Sequence, residues 1–143
     1  MVAIYGACAA FDFGADPSQV FLAGLCHHLH NATIPDTGFA GEVLIGSHLD
    51  GLVARAWAEA IGQFPPSLGA AMADSMAQIA DLDGPTAQAF HAADVIDRVL
   101  EIEQHFKLND VTMRTVLDDY GLVHAGPIKP FHDQVLNAVG LAC

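Results

Sequence analysis

The sequence predicts an all-α fold, a helical bundle built as one domain over residues 1–143. Three observations carry this. Ala, Leu, Met and Gln are frequent while runs of Val, Ile and Thr are scarce, a balance that favours helix over strand. Apolar residues recur at three- and four-residue spacing, as one face of a helix requires. At 52% hydrophobic over 143 residues, the chain can bury a core and lacks the composition of a disordered segment. No repeat, low-complexity tract or linker divides it.

The elements follow in order, about five to seven helices in all. Val2 to Phe13 reads as a helix that ends near Gly14. It is apolar on nearly every side, so it must be buried within the domain or against another chain; a homodimer that covers part of it is expected. Asp16-Pro17 is an N-cap followed by proline at the first helical position, and the helix it opens runs from Pro17 to about Asn31. Thr33 to Phe39 is a loop punctuated by Pro35 and Gly38. A helix from about Gly41 to Ile61 carries Glu42, His48, Arg55 and Trp57, and Phe64-Pro65-Pro66 stops it. Ser67 to Ala80 is a further helix, Asp81 to Pro85 a turn, and Pro85 to about Leu108 the longest helix. Asp110 to Asp119 is a short helix, Gly121 to Pro130 a loop, and Phe131 to Val139 the last helix.

The charge excludes several partners. The formal net charge is -12, with only five Lys and Arg. A nucleic-acid binder needs a basic stripe to neutralise phosphates, and an anionic membrane surface needs one too; neither partner is expected. A small phosphorylated molecule is also repelled unless a bound cation reverses the local field. No run approaches the ~20 apolar residues of a spanning helix, and no basic flank precedes the apolar start, so a cytoplasmic location is expected. Three cysteines without a CxxC pair suit reduced thiols, and Cys26 reads as a small buried thiol.

Chemistry concentrates at Leu25-Cys26-His27-His28-Leu29-His30-Asn31. The chain has eight histidines, and three fall here. On a continuous helix His27 and His30 share a face, while His28 points about 100° away from His27. Two imidazoles at that spacing can share a cation, and neutral imidazole suits several transition metals. One helix supplies too few ligands. His48, Glu42, Asp94 and Asp97 are the supplements. Asp94 lies on a helix with alanines on one side and Val95, Ile96 and Val99 on the other. A carboxylate in that setting needs a cation or a donor to offset its desolvation.

Gly14 to Pro17 leading into Val20 to His28 resembles the helix of the HD-domain superfamily that carries its His-Asp pair. Ala93-Asp94-Val95-Ile96-Asp97-Arg98 resembles the late helix that supplies the family's last aspartate. The resemblance spans Val2 to about Glu103 and implies an HD-domain-like helical bundle binding one or two metals. Most members hydrolyse phosphate esters; a smaller branch uses two irons to oxygenate carbon. His27 then matches the histidine of the pair, Asp94 the terminal aspartate, and His48 the extra histidine of two-metal branches. His28 stands where the family has aspartate, and the first helix holds Val2, Ala3, Ile4 and Tyr5 but no histidine. These departures leave three possibilities: a rearranged site using His28, His30 or His48, a chain lacking an earlier helix, or a fold kept for binding.

What the resemblance implies for chemistry is a divalent transition metal (Mn, Fe, Co, Ni or Zn) held by His27, His28, His48 and Asp94. Glu42 or His30 would move protons. Asn31 would orient a ligand, and Lys129 would meet the phosphate of a small-molecule ester. Exchanging a carboxylate for an imidazole weakens the hold on hard cations such as Mg, so phosphohydrolase activity is expected to be weak or absent. The alternatives are a non-catalytic helical binding or dimerisation module and a di-iron oxygenase.

Overall fold

Local punctuation sets the helix ends. The computed structural model describes residues 1–36, 38–106 and 126–140, leaving out the side chains of 39, 40, 42 and 102–106. Helix α1 (Val2–Ala9) gives way to a turn that ends at Gly14 with φ +69°. Asp16 accepts a hydrogen bond from the Ser18 N–H (2.9 Å) and starts α2 (Pro17–Cys26), with proline in its first turn. A 3-10 turn (Leu29–Ala32) follows, then α3 (Gly38–Ile45), a 3-10 turn (Gly46–His48) and α4 (Leu49–Ile61). Prolines open α5 (Pro66–Ala80) and α6 (Pro85–Phe106). A 3-10 turn (Gly126–Ile128) leads into α7 (Lys129–Ala138). The chain is all-α: the described residues contain these seven α-helices and no strand.

Four expectations need correction. The helix expected over Val2 to Phe13 ends at Ala9, and a turn carries the chain to Gly14. The helix expected to continue to Asn31 stops at Cys26, because the His27 ring satisfies a terminal carbonyl: Nδ1 donates to the Gly24 oxygen at 2.9 Å. The helix expected from Gly41 to Ile61 is two helices. Gly46 separates them at φ +58°, a left-handed conformation that costs glycine little. The loop expected up to Pro130 ends earlier, because α7 begins at Lys129 with proline in its first turn. The short helix expected over Asp110 to Asp119 lies outside the described residues.

Small residues hold the centre together. The core cluster comprises Val2, Ala10, Val20, Ala23, Ala89, Phe90 and Ala93, with Tyr5, Phe13, Ala15 and Ile79 packed against it. It joins α1, α2 and α6. A Cβ at Gly24 would lie 2.5 Å from the Ala3 Cα, and one at Gly6 would lie 2.6 Å from Val20 Cγ1. The α1–α2 contact is therefore closer than any residue with a side chain at these positions permits. Polar latches fix the outer helices. Trp57 Nε1 donates to the Cys26 carbonyl (2.9 Å) and binds α4 to the end of α2. The buried Ser75 hydroxyl donates to Gln19 Oε1 (2.7 Å) and binds α5 to α2. His132 and Leu136 of α7 are buried, and Phe131 meets Phe13 edge to face at 5.9 Å. Burial of α1 is one-sided: Val2, Ala3 and Gly6 are inside, while Ile4 is 52% exposed.

Candidate functional site

The end of α2 positions the histidines. Three residues beyond Gly24, the His27 ring folds back on the helix terminus, and its Nδ1 carries the proton because a carbonyl can only accept. Nε2 of neutral His27 is then a bare lone pair. It is buried and has no hydrogen-bond partner, and the same holds for His30 Nδ1. A buried, unsatisfied polar atom costs about 1–3 kcal/mol. Phe90 of α6 meets the His27 ring edge-on at 5.1 Å, and the exposed His28 ring covers it at 4.0 Å. His30 follows 5.6 Å from His28. The cluster is thus a run of mutually tilted rings around a turn rather than a face of a continuous helix.

Burial disfavours the charged form of His27. Burial is the main cause that pushes its pKa below the ordinary imidazole value, and neighbouring His28 and, more weakly, His30 add to this; the Gly24 hydrogen bond and the Asp94 charge oppose it. Burial also pushes the Cys26 thiol up, against a smaller opposing effect of a backbone hydrogen bond. Cys26 is fully buried and donates to the Ala23 carbonyl at 3.7 Å, in line with the structural role expected of it.

His27, His28 and Asp94 line one cleft of about 670 Å³, formed by the start of α1, the outer face of α2 and one side of α6. Its apolar wall includes Ile4, Phe21 and Leu25, which are 52%, 40% and 57% exposed. Its polar wall includes Asp36, Asp94, Asp97 and Glu101 with Arg98. Arg98 donates to Asp94 Oδ2 at 2.9 Å, and the Met1 amino group lies 3.6 Å from Asp97. Among the described residues, four carboxylates thus line the cleft together with one guanidinium and one amine. Beside the cleft, a hollow of about 240 Å³ is lined by His28, His30, Asn31 and Asp36, closed by Leu49 and Val53 of α4.

The other candidate residues lie elsewhere. His48 is exposed at the start of α4 and lines neither hollow. Lys129 pairs with Asp133 one turn along α7, at 2.8 and 3.0 Å, and also lines neither. Arg55 is exposed. Glu42 is on α3, and its side chain falls outside the described residues. One residue that sequence reasoning missed is Arg98, whose guanidinium lines the cleft. Its signal was available: Asp94 and Arg98 are spaced i, i+4, the separation at which helical ion pairs meet. Phe90 and Asp36 were missed as well, because only tertiary packing brings them beside the histidines.

These residues meet the needs of a metal centre only in part. The bare Nε2 of His27 is a fit donor, because a metal-ligating imidazole normally donates its other nitrogen to a carbonyl or carboxylate. The set is incomplete, however. Among the described residues no three His, Cys, Asp or Glu side chains come together in a way that could hold a metal ion, and Asp94 is engaged by Arg98. The described residues do not assemble a full HD-type centre. Compared with known protein families, with curated proteins and with solved structures, the chain matches none.

Proposed function

We propose that the chain is a helical binding module whose ligand site is the cleft at His27, and that its ligand carries a positively charged N–H group on an apolar body. The observation that carries this reading is the buried, bare Nε2 lone pair of His27, a residue that lines a cleft shared by acidic and apolar side chains. An acceptor without a partner favours a donor. The surrounding carboxylates favour a cationic one. Ile4, Phe21 and Leu25 offer apolar area for the rest of the ligand. The exposed His28 ring is the side chain that turns aside to admit it.

Phenethylamine is a simple probe with both features. In 1H–15N NMR spectra it is expected to produce saturable shifts at His27, Phe21 and Leu25, and His27→Ala should abolish them. Shifts spread evenly over the acidic surface would overturn the reading.

A metal-dependent hydrolase of a small phosphorylated molecule is the second reading, favoured by the His27 tautomer, which leaves Nε2 available to a transition metal. It requires Arg98 to release Asp94. Its test is hydrolysis of a phosphate ester and a nucleotide panel with Mn, Fe, Co, Ni, Zn and Mg added in turn. Turnover lost in Asp94→Ala would place this reading ahead of the binding module. A di-iron oxygenase needs more ligands than the described residues bring together.

A further inference from the structure

We propose that the cleft and its apolar rim dock a basic amphipathic helix of another protein. The inference rests on the reading of the cleft as a binding site and names the occupant. Ile4, Phe21, Leu25 and the 66%-exposed Met1 all border the cleft. Phe21 and Leu25 lie one turn apart on α2, a separation of about 6 Å along the helix axis. A partner helix with apolar residues at i, i+3 and i+4 presents side chains at the same interval, the helix-in-groove mode of recognition.

Charge selects the occupant. Asp36, Asp94, Asp97 and Glu101 line the cleft and outnumber Arg98 and the Met1 amine, which pair with Asp94 and Asp97, and the chain as a whole carries -12. Lys and Arg flanking the partner's apolar stripe would meet this wall, which speeds and orients docking. A second copy of the chain would bring the same carboxylates against themselves, a like-charge juxtaposition that interfaces avoid. Pairing with an extended strand has no template, because the described residues contain no sheet edge. Nucleic acid and anionic membranes are disfavoured by the same charge.

The test uses a fluorescein-labelled Leu/Lys peptide of about four helical turns with Leu on one face, read by fluorescence anisotropy at near-physiological salt. Two control peptides accompany it: one with Glu in place of Lys, and one with the Leu/Lys order scrambled to destroy the apolar face. The amphipathic basic peptide is expected to bind saturably and both controls to fail. The Phe21→Ser/Leu25→Ser double variant should lose at least about tenfold in affinity, the equivalent of about 1.4 kcal/mol. The Glu59→Gln/Asp74→Asn variant, which alters exposed acids on α4 and α5, should keep it. Both residues of the double variant are substantially exposed, and a circular-dichroism melt checks its fold; the peptide controls need no variant.

Equal binding of the scrambled peptide, or unchanged affinity in the double variant, would reduce the effect to general charge attraction and overturn the proposal. Self-association in light scattering that the double variant abolishes would assign the rim to a second copy and also overturn it. Phenethylamine shifts at His27 without peptide binding would sink the helix partner alone and leave the binding cleft standing. Absence of both would sink the two readings together.

Discussion

Replacing Gly24 by alanine tests the packing that shapes the cleft. The new methyl carbon would lie 2.5 Å from the Ala3 Cα, 2.7 Å from its nitrogen and 3.0 Å from its Cβ. Carbon atoms settle at about 3.5–4.0 Å, so α1 and α2 must separate by about 1 Å. Two of the three opposing atoms are backbone, so no rotamer change relieves the clash. Overpacking of this kind costs about 1–3 kcal/mol. Alanine recovers about 1 kcal/mol through its better helix propensity, leaving a net loss of about 0–2 kcal/mol. Gly51 of α4 provides the matched control, because a Cβ there meets nothing within 4 Å. Gly51→Ala should therefore stabilise by about 0.5–1 kcal/mol. Urea denaturation of both variants at one pH reads the contrast. Displaced α1 also carries Ile4 away from the cleft, so Gly24→Ala should weaken phenethylamine binding while Gly51→Ala leaves it intact. If Gly24→Ala stabilises the protein as much as Gly51→Ala does, the close α1–α2 approach is wrong.

Three further outcomes are expected. Because the folded-state pKa of His27 is depressed, the unfolded chain takes up that proton first, from about pH 6.5; the contribution is full above that pH and lost as pH falls through the lower folded value. Wild-type stability should thus fall more steeply than that of His27→Gln between about pH 7.5 and 5, and parallel curves would mean that His27 is not desolvated. Trp57→Phe removes the donor to the Cys26 carbonyl and should cost about 1 kcal/mol in chemical denaturation, with faster amide exchange where α4 meets the end of α2; unchanged exchange there would count against the latch. Cys8 is exposed and Cys26 buried, so maleimide labelling followed by peptide mass spectrometry should modify Cys8 well before Cys26, and equal rates would contradict the packing of α2.

Local chemistry made much of this legible in the sequence. Asp16-Pro17 opens α2, paired prolines open α5, and the scarcity of β-branched runs leaves an all-α chain, because caps and propensities act over a few residues. The density of imidazoles after Cys26 and the expected companionship of His27 and Asp94 single out residues that line one cleft. Tertiary structure decided the rest. The His27 ring takes the Gly24 carbonyl where the helix ends, and the expected face of imidazoles becomes a run of tilted rings around a turn. Arg98 lines the cleft and Lys129 does not. His48 remains outside it. A residue's spacing fixes its direction only while the helix continues; once a side chain caps the last turn, its neighbours' positions depend on what packs against them from distant segments. The two glycines show the same division. Their composition reads as a cost to helix formation, and only the approach of α1 to α2 shows why a side chain at either position has no room.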